Sequence, residues 1–235
     1  MQNKPSSTKV LSETSKQEKN MESSKNEERN KESLSDYFPR VTEPTTRAEL
    51  MKYWISLSLD KKTANKMLWI SDGGSTVCRR TKEVCPVLDG PERYEYSPQV
   101  LCKESIWNSR AYWEVEYSGW VVIGATYEEA ARRADSTPTG LGENEESWGL
   151  CWSGTRYEVW YSGGHKDIND VPFCSTIGVY IDQPAGIINF YTVTGAGEER
   201  EAEILHKVQT RIEKKILPGF WLGVQSSCSL VTRAE

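Results

Sequence analysis

From Leu57 to the C-terminus, apolar positions fall in short runs, continuous or alternating with polar residues, and turn residues break them every ~8–12 positions. "MLWI" ends at Ser71-Asp72-Gly73-Gly74, "QVLC" follows a break at Pro98, and "AYWEVEY" meets "WVVIGATY" across Ser118-Gly119. "SWGLCW", "RYEVWYS", "IGVYID", "IINFYTV", "EILHKV" and "KILPGFWLGV" continue the series. This rhythm predicts an all-β fold, an antiparallel sandwich or barrel. "YEEAARRA" (127–134) is the one helical-looking insert, and it is expected to form a single turn or a loop. No internal repeat is present.

The pattern differs upstream. In "YFPRVTEPTTRAELMKYW", Thr46-Arg47-Ala48-Glu49 has the form of a capping box with Pro44 just before it, which predicts a short helix from about Thr46 to Tyr53. Leu50, Tyr53 and Trp54 would press one face of it onto the domain that follows. Residues 1–36 carry eight Ser, seven Lys or Arg, seven Asp or Glu and no aromatic residue. Such a stretch cannot bury enough surface to offset its chain entropy, so residues 1–44 are expected to form a disordered tail and 45–235 the folded domain.

Inside "AYWEVEY", alternation puts Glu114 and Glu116 on one face of a strand and Trp113, Val115 and Tyr117 on the other. Two carboxylates on one sheet face raise the question of a retaining glycosidase, which needs its pair about 5–5.5 Å apart. Sandwiches with that chemistry usually add a third acid on the same face. Here the next same-face residue is Ser118, so the expectation is an ion-paired face, with Arg110 or another basic side chain as partner.

Composition narrows the other options. A net charge of −5 and a pI near 5.4 give no general attraction to phosphate, so nucleic acid is not an expected partner, and neither is a membrane. No apolar run approaches the roughly 18 residues of a spanning helix, and "MQNKPSSTKV" lacks the apolar stretch of a secretion signal. Six cysteines without a C-x-x-C pair, and no N-x-S/T sequon, fit free thiols in the cytosol. His165 and His206 are too few and too isolated for a zinc cluster, and "DGGSTV" lacks the Lys-Ser/Thr of a phosphate loop. No catalytic residue, metal or cofactor is expected.

Nine Trp and eleven Tyr exceed what a core of this size needs. Trp69, Trp113 and Trp148 sit inside strand patterns and are expected in the core. Trp107, Trp120, Trp152, Tyr157, Trp160 and Trp221 lie at turns or strand ends, where an amphipathic ring can serve recognition at low entropic cost.

Together these stretches resemble the PRY-SPRY (B30.2) family. "LSLDKKTANKMLWISDGG" is similar to the PRY opening, "PERYEYSPQVLCKESIWNSRAYWEVE" resembles the family's PERF…VLG…G-x-HYWEVE stretch, and "IGVYIDQPAGIINFYTV" resembles GVFLDYEAG-x-x-SFYNV. The wording of "TRAELMKY", "QVLCKES", "ENEESWGL" and "KVQT" is most similar to domains of fish tripartite-motif and NOD-like-receptor proteins. The chain departs from the pattern at Leu59-Asp60-Lys61, at Ile181-Asp182-Gln183-Pro184 and around Asn108-Ser109.

The resemblance implies a bent antiparallel two-sheet sandwich of the concanavalin-like jelly-roll kind, with Glu114 and Glu116 as framework. It also implies a non-catalytic module that holds a protein or peptide through loops at one end, in innate immune signalling or as the substrate-reading part of a tripartite-motif ubiquitin ligase or receptor. Residues 1–77 hold no Cys or His for a RING or B-box zinc site, so no ligase activity of its own is expected. Carried onto this chain, the loops are roughly 89–97, 126–144, 152–156, 161–175 and 220–227. The expected binding residues are Tyr94, Tyr127, Arg132, Arg133, Trp152, Tyr157 and Trp221.

Overall fold

The structure, a computed structural model, describes residues 42–71 and 73–233. The disordered tail expected over residues 1–44 falls almost wholly outside them.

The described residues form thirteen antiparallel strands in two sheets. One has seven strands: β1 (Leu68–Ile70), β2 (Thr76–Arg79), β13 (Ser226–Leu230), β4 (Arg110–Ser118), β9 (Thr176–Asp182), β10 (Ile187–Thr194) and β11 (Glu201–Gln209), in that spatial order. The other has six: β3 (Gln99–Leu101), β12 (Ile216–Leu222), β5 (Val121–Tyr127), β6 (Ser147–Trp152), β7 (Tyr157–Tyr161) and β8 (Gly164–Ile168). Antiparallel neighbours exchange backbone hydrogen bonds across each sheet, which leaves alternate side chains free to fill the space between the two.

That space is the core. Trp113, Val115 and Tyr117 from β4, Ile177, Val179 and Ile181 from β9, and Phe190 from β10 meet Val121, Ile123, Leu150, Val159, Phe220 and Leu222 of the facing sheet. The odd-numbered residues of β4 point inward and the even-numbered ones outward, as alternation predicts.

On the outer face of the seven-stranded sheet lies helix α1 (Arg47–Leu50), which runs on into a 3-10 turn at Met51–Tyr53. The capping box forms, with Thr46 accepting from the Glu49 amide and Glu49 reaching back to the Thr46 amide. Leu50, Tyr53 and Trp54 pack on Tyr112, Tyr180 and Tyr191, so the predicted docking face is the one used. Residues 128–133 leave β5 as turns and loop, again as predicted.

Trp69 and Arg110 depart from expectation, whereas the expected ion-paired face at Glu114 and Glu116 forms with other arginines as partners. Trp69 is only half-buried, because β1 is the sheet's edge strand, and the Arg80 guanidinium covers its ring at 4.5 Å. Arg110 does not pair with Glu114 or Glu116; its Nε lies 2.7 Å from Asp182, directly across in β9. The catalytic option for Glu114 fails on access: the carboxylate is fully buried beneath α1, held by Arg47 at 2.7 Å, the Tyr112 hydroxyl at 2.8 Å and Arg200 at 3.5 Å. Arg200 also reaches Glu116 at 3.5 Å, which makes the pair an ion-paired face.

Strands β2, β8 and β13 carry no clear sequence signal. "SSCSL" of β13 still takes a place between β2 and β4, with Ser226, Cys228 and Leu230 buried on alternate positions.

Candidate ligand-binding face

The outer face of the six-stranded sheet is shaped by two transverse rows of residues. Register aligns Trp221 of β12, Val122 of β5, Cys151 of β6, Glu158 of β7 and Asp167 of β8 in one row. The adjacent outward row reads Gly219, Gly124, Gly149, Trp160 and His165. Three glycines side by side leave a trough with no side chains. Leu141, from the loop between β5 and β6, drops into it and packs with Val122 and Cys151, while its amide donates to Gln99 Oε1 at 2.9 Å.

The same loop is pinned beyond Leu141. The Gly142 amide donates to Ser147 Oγ at 2.8 Å, and Glu143 accepts from the Gly140 amide at 3.1 Å. Glu143 therefore stands fixed at the rim. Between the loop and Tyr96-Ser97-Pro98 runs an open groove of about 620 Å³, with Trp221 and Glu143 at its inner end. There it joins a smaller pocket of about 40 Å³ walled by Trp120, Trp160 and Trp221, with Val122 and Cys151 as floor. The Trp120 and Trp221 rings lie 5.3 Å apart, and the Trp120 indole N–H donates to Cys151 Sγ at 3.3 Å. Burial pushes the Cys151 thiol up to about 11, so it stays protonated at neutral pH.

The seven residues expected to bind a ligand do not come together. Trp221 sits in the groove. Tyr94 is corrected to the core: it packs on Leu101 and Leu217 at 2% exposure, and burial raises its hydroxyl to about 12. Tyr157 is likewise corrected, since as the first residue of β7 it faces inward, and its hydroxyl lies 2.8 Å from that of Tyr117. Trp152 faces the sandwich interior as well, half-buried against Tyr157 and Phe173.

Tyr127 lies at the far end of β5, about 20 Å from the Val121 end where Trp152 sits. Its ring packs edge-on to Trp148, and its hydroxyl bonds the backbone of Arg211 and Glu213. Arg132 and Arg133 are half-exposed, yet both are engaged within the protein. Arg132 donates to the carbonyls of Glu92 and Glu128, and Arg133 pairs with Asp89 and Glu95 at 3.0 and 3.1 Å. These two arginines tie loop 89–97 to the loop after β5.

The expected loops 89–97 and 126–144 contain Tyr96, Leu141 and Glu143, but the sequence singles none of the three out, and it offers Trp120 and Trp160 only as turn aromatics. The signal that could have found them is Gly124 and Gly149 at outward positions of adjoining strands, because outward glycines on a sheet mark a close approach by something else.

Glu158, His165 and Asp167 bring their ligand-type atoms within 4.8 Å of one another on this face. Arg156 at 3.0 and 3.4 Å and the Trp160 indole N–H at 3.0 Å already occupy the carboxylates, so the cluster is an ion-paired network.

Known proteins share this architecture. The sequence model of the SPRY-associated PRY domain matches residues 57–106, which hold β1 to β3, and that of the SPRY domain matches residues 110–233, which hold β4 to β13. The chain belongs to the SPRY domain family. SPRY domains are typically non-catalytic protein-interaction modules.

Among relatives, stonustoxin subunit beta of Synanceia horrida is 32% identical over 80% of this chain and 26% of its own length. Mouse tripartite motif-containing protein 16 is 29% identical over 80% of this chain and 33% of its own length. The SPRY chain thus matches only about a quarter to a third of these relatives. The stonustoxin structure superposes with a TM-score of 0.74 at 25% identity, over 83% of this chain and 31% of that one. The TRIM65 PSpry domain superposes with a TM-score of 0.70 at 24% identity, over 83% of this chain and 99% of that one, a likeness of fold.

Proposed function

We propose that this SPRY domain is a non-catalytic recognition module that holds an extended segment of a partner protein in the groove between Tyr96-Ser97-Pro98 and the loop after β5. The observation that carries this reading is the groove's continuity with the three tryptophans. Trp120 is 49% and Tyr96 59% exposed, so large aromatic surface stands in water both along the groove and at the pocket it joins. Aromatic anchors of this kind dominate protein interfaces. The anchored loop walls mean that little order would be lost on binding.

Six free thiols suit a cytosolic setting, and innate immune signalling is the setting the family resemblance suggests. A second reading, substrate recognition for a tripartite-motif ubiquitin ligase, draws on the match to mouse tripartite motif-containing protein 16. Co-purification of a RING-containing partner favours it.

The test is affinity capture from cells with the full chain and with a Tyr96→Ala, Trp120→Ala double variant of equal thermal stability. Loss of defined partners from the variant supports the groove. An unchanged partner set overturns it.

A further inference from the structure

The small pocket at the inner end of the groove has a composition that the fold does not demand. Three indoles, Trp120, Trp160 and Trp221, surround a space of about 40 Å³, and the one charged side chain on its wall is the carboxylate of Glu143. By volume this is room for roughly three water-sized groups, a head group and not a whole side chain. Among the described residues, neither the groove nor the pocket is lined by a Lys, Arg or His, whereas Asp135 and Glu143 both line the groove.

The indole edges are spent elsewhere. The Trp120 N–H is given to Cys151 Sγ and the Trp160 N–H to Glu158, so neither edge has a donor to offer a visitor, and one face of Trp160 stacks on His165 at 5.5 Å, which leaves its other face. The electron-rich face of an indole attracts a cation, and the attraction grows as water is excluded. The floor, Val122 and the protonated Cys151 thiol, supplies no strong acceptor. A guanidinium with five N–H donors, or an unmodified ammonium with three, is poorly served here, since Glu143 is the one lining side chain with a strong acceptor. Methyl groups on the nitrogen remove that cost while keeping the positive charge.

We infer that the Trp120–Trp160–Trp221 pocket is a cage for a methylated ammonium head group, that of a methylated lysine in the segment of partner protein lying in the groove. The inference rests on the proposed groove function and names the chemistry of its anchor. Glu143, held in place by the Gly140 amide, provides the counter-charge at the mouth.

The experiment uses the full chain and small probes before any partner. Tryptophan emission is followed during titration with choline and, at matched ionic strength, with its neutral isostere 3,3-dimethylbutan-1-ol. Saturable quenching by choline is expected, with the neutral alcohol about tenfold weaker or more. Glu143→Gln should weaken choline severalfold without changing the alcohol. Trp120→Ala, at a half-exposed position, should abolish the preference while melting as wild type does.

Equal binding of the two probes, or no saturation with choline, overturns the inference. A peptide array carrying each lysine unmodified and trimethylated separates the two levels of the reading. Capture that depends on Tyr96 but ignores methylation sinks the cage and leaves the groove standing, whereas no Tyr96-dependent capture sinks both.

Discussion

Arg47 of α1 places its Nε 2.7 Å from Oε1 of Glu114, a carboxylate with no exposed surface in the middle of the seven-stranded sheet. A second guanidinium nitrogen reaches Oε2 at 3.2 Å, so the contact is a two-pronged fork, the geometry that binds a planar carboxylate best. Burial beneath the helix makes this pair a rivet between α1 and β4.

Glu114→Gln should therefore destabilise the domain by about 2–3 kcal/mol, since it strands the Arg47 charge and disturbs the Tyr112 hydroxyl as well. Glu116→Gln, two residues along the same face but 53% exposed, should cost less than about 0.5 kcal/mol. Denaturant unfolding of the two variants checks the contrast. Equal losses would mean that the buried carboxylate contributes no more than a surface one.

The inward placement of Tyr94 and Tyr157 gives a second contrast. Tyr94→Ala should cost about 3–5 kcal/mol, because it empties a site closed by Leu101 and Leu217. Tyr157→Phe keeps the ring and removes only the hydroxyl pairing with Tyr117, for about 1 kcal/mol. Neither change should alter capture of partners by the groove once folding is matched. Partner loss in folded Tyr157→Phe would show that this end of the sandwich takes part in recognition.

These two tyrosines also show where reading the chain alone runs out. Strand rhythm, the capping box and the alternation around Glu114 and Glu116 were legible because each depends on neighbours within a few residues. Whether a residue at a strand end faces in or out depends on the strand's phase against the opposite sheet, and Tyr157, one residue after Arg156, falls on the inward phase. The trough needs more: Gly219, Gly124 and Gly149 lie on three strands and become one feature only once their register is known. The arginine pair looked like ligand anchors because nothing local shows that Asp89 and Glu95, some forty positions earlier, already hold Arg133.

That clamp predicts a pH response. The Arg133 guanidinium and the Gly90 amide pull the Asp89 carboxyl down to about 2. A carboxyl lowered on folding contributes stability in full above its unfolded value, about 3.9, and loses it as pH falls through the folded value. The tie between loop 89–97 and Arg133 should thus hold at neutral pH and release between about pH 4 and pH 2. An NMR titration of the Asp89 carboxyl should find its midpoint near 2 in the native chain and higher in Arg133→Ala, short of the free value because the Gly90 amide still donates. Coincident midpoints would remove the clamp.

The glycine row offers the sharpest test of how the groove is built. A Cβ on Gly149 would run into the Val122 side chain and only touch Leu141 at ordinary contact distance, whereas a Cβ on Gly124 would meet the backbone carbonyl of Trp148 in the next strand. Gly149→Ala should displace Val122, and through it the Leu141 that packs on Val122, at about 1–3 kcal/mol, with faster hydrogen exchange at the Leu141 amide. Gly124→Ala cannot be absorbed by a side chain and should cost more, through lost pairing of β5 with β6. If Gly149→Ala leaves the Leu141 amide as protected as before, the trough does not hold the loop, and the wall of the groove must be fixed by the bonds at Gly142 and Glu143 instead.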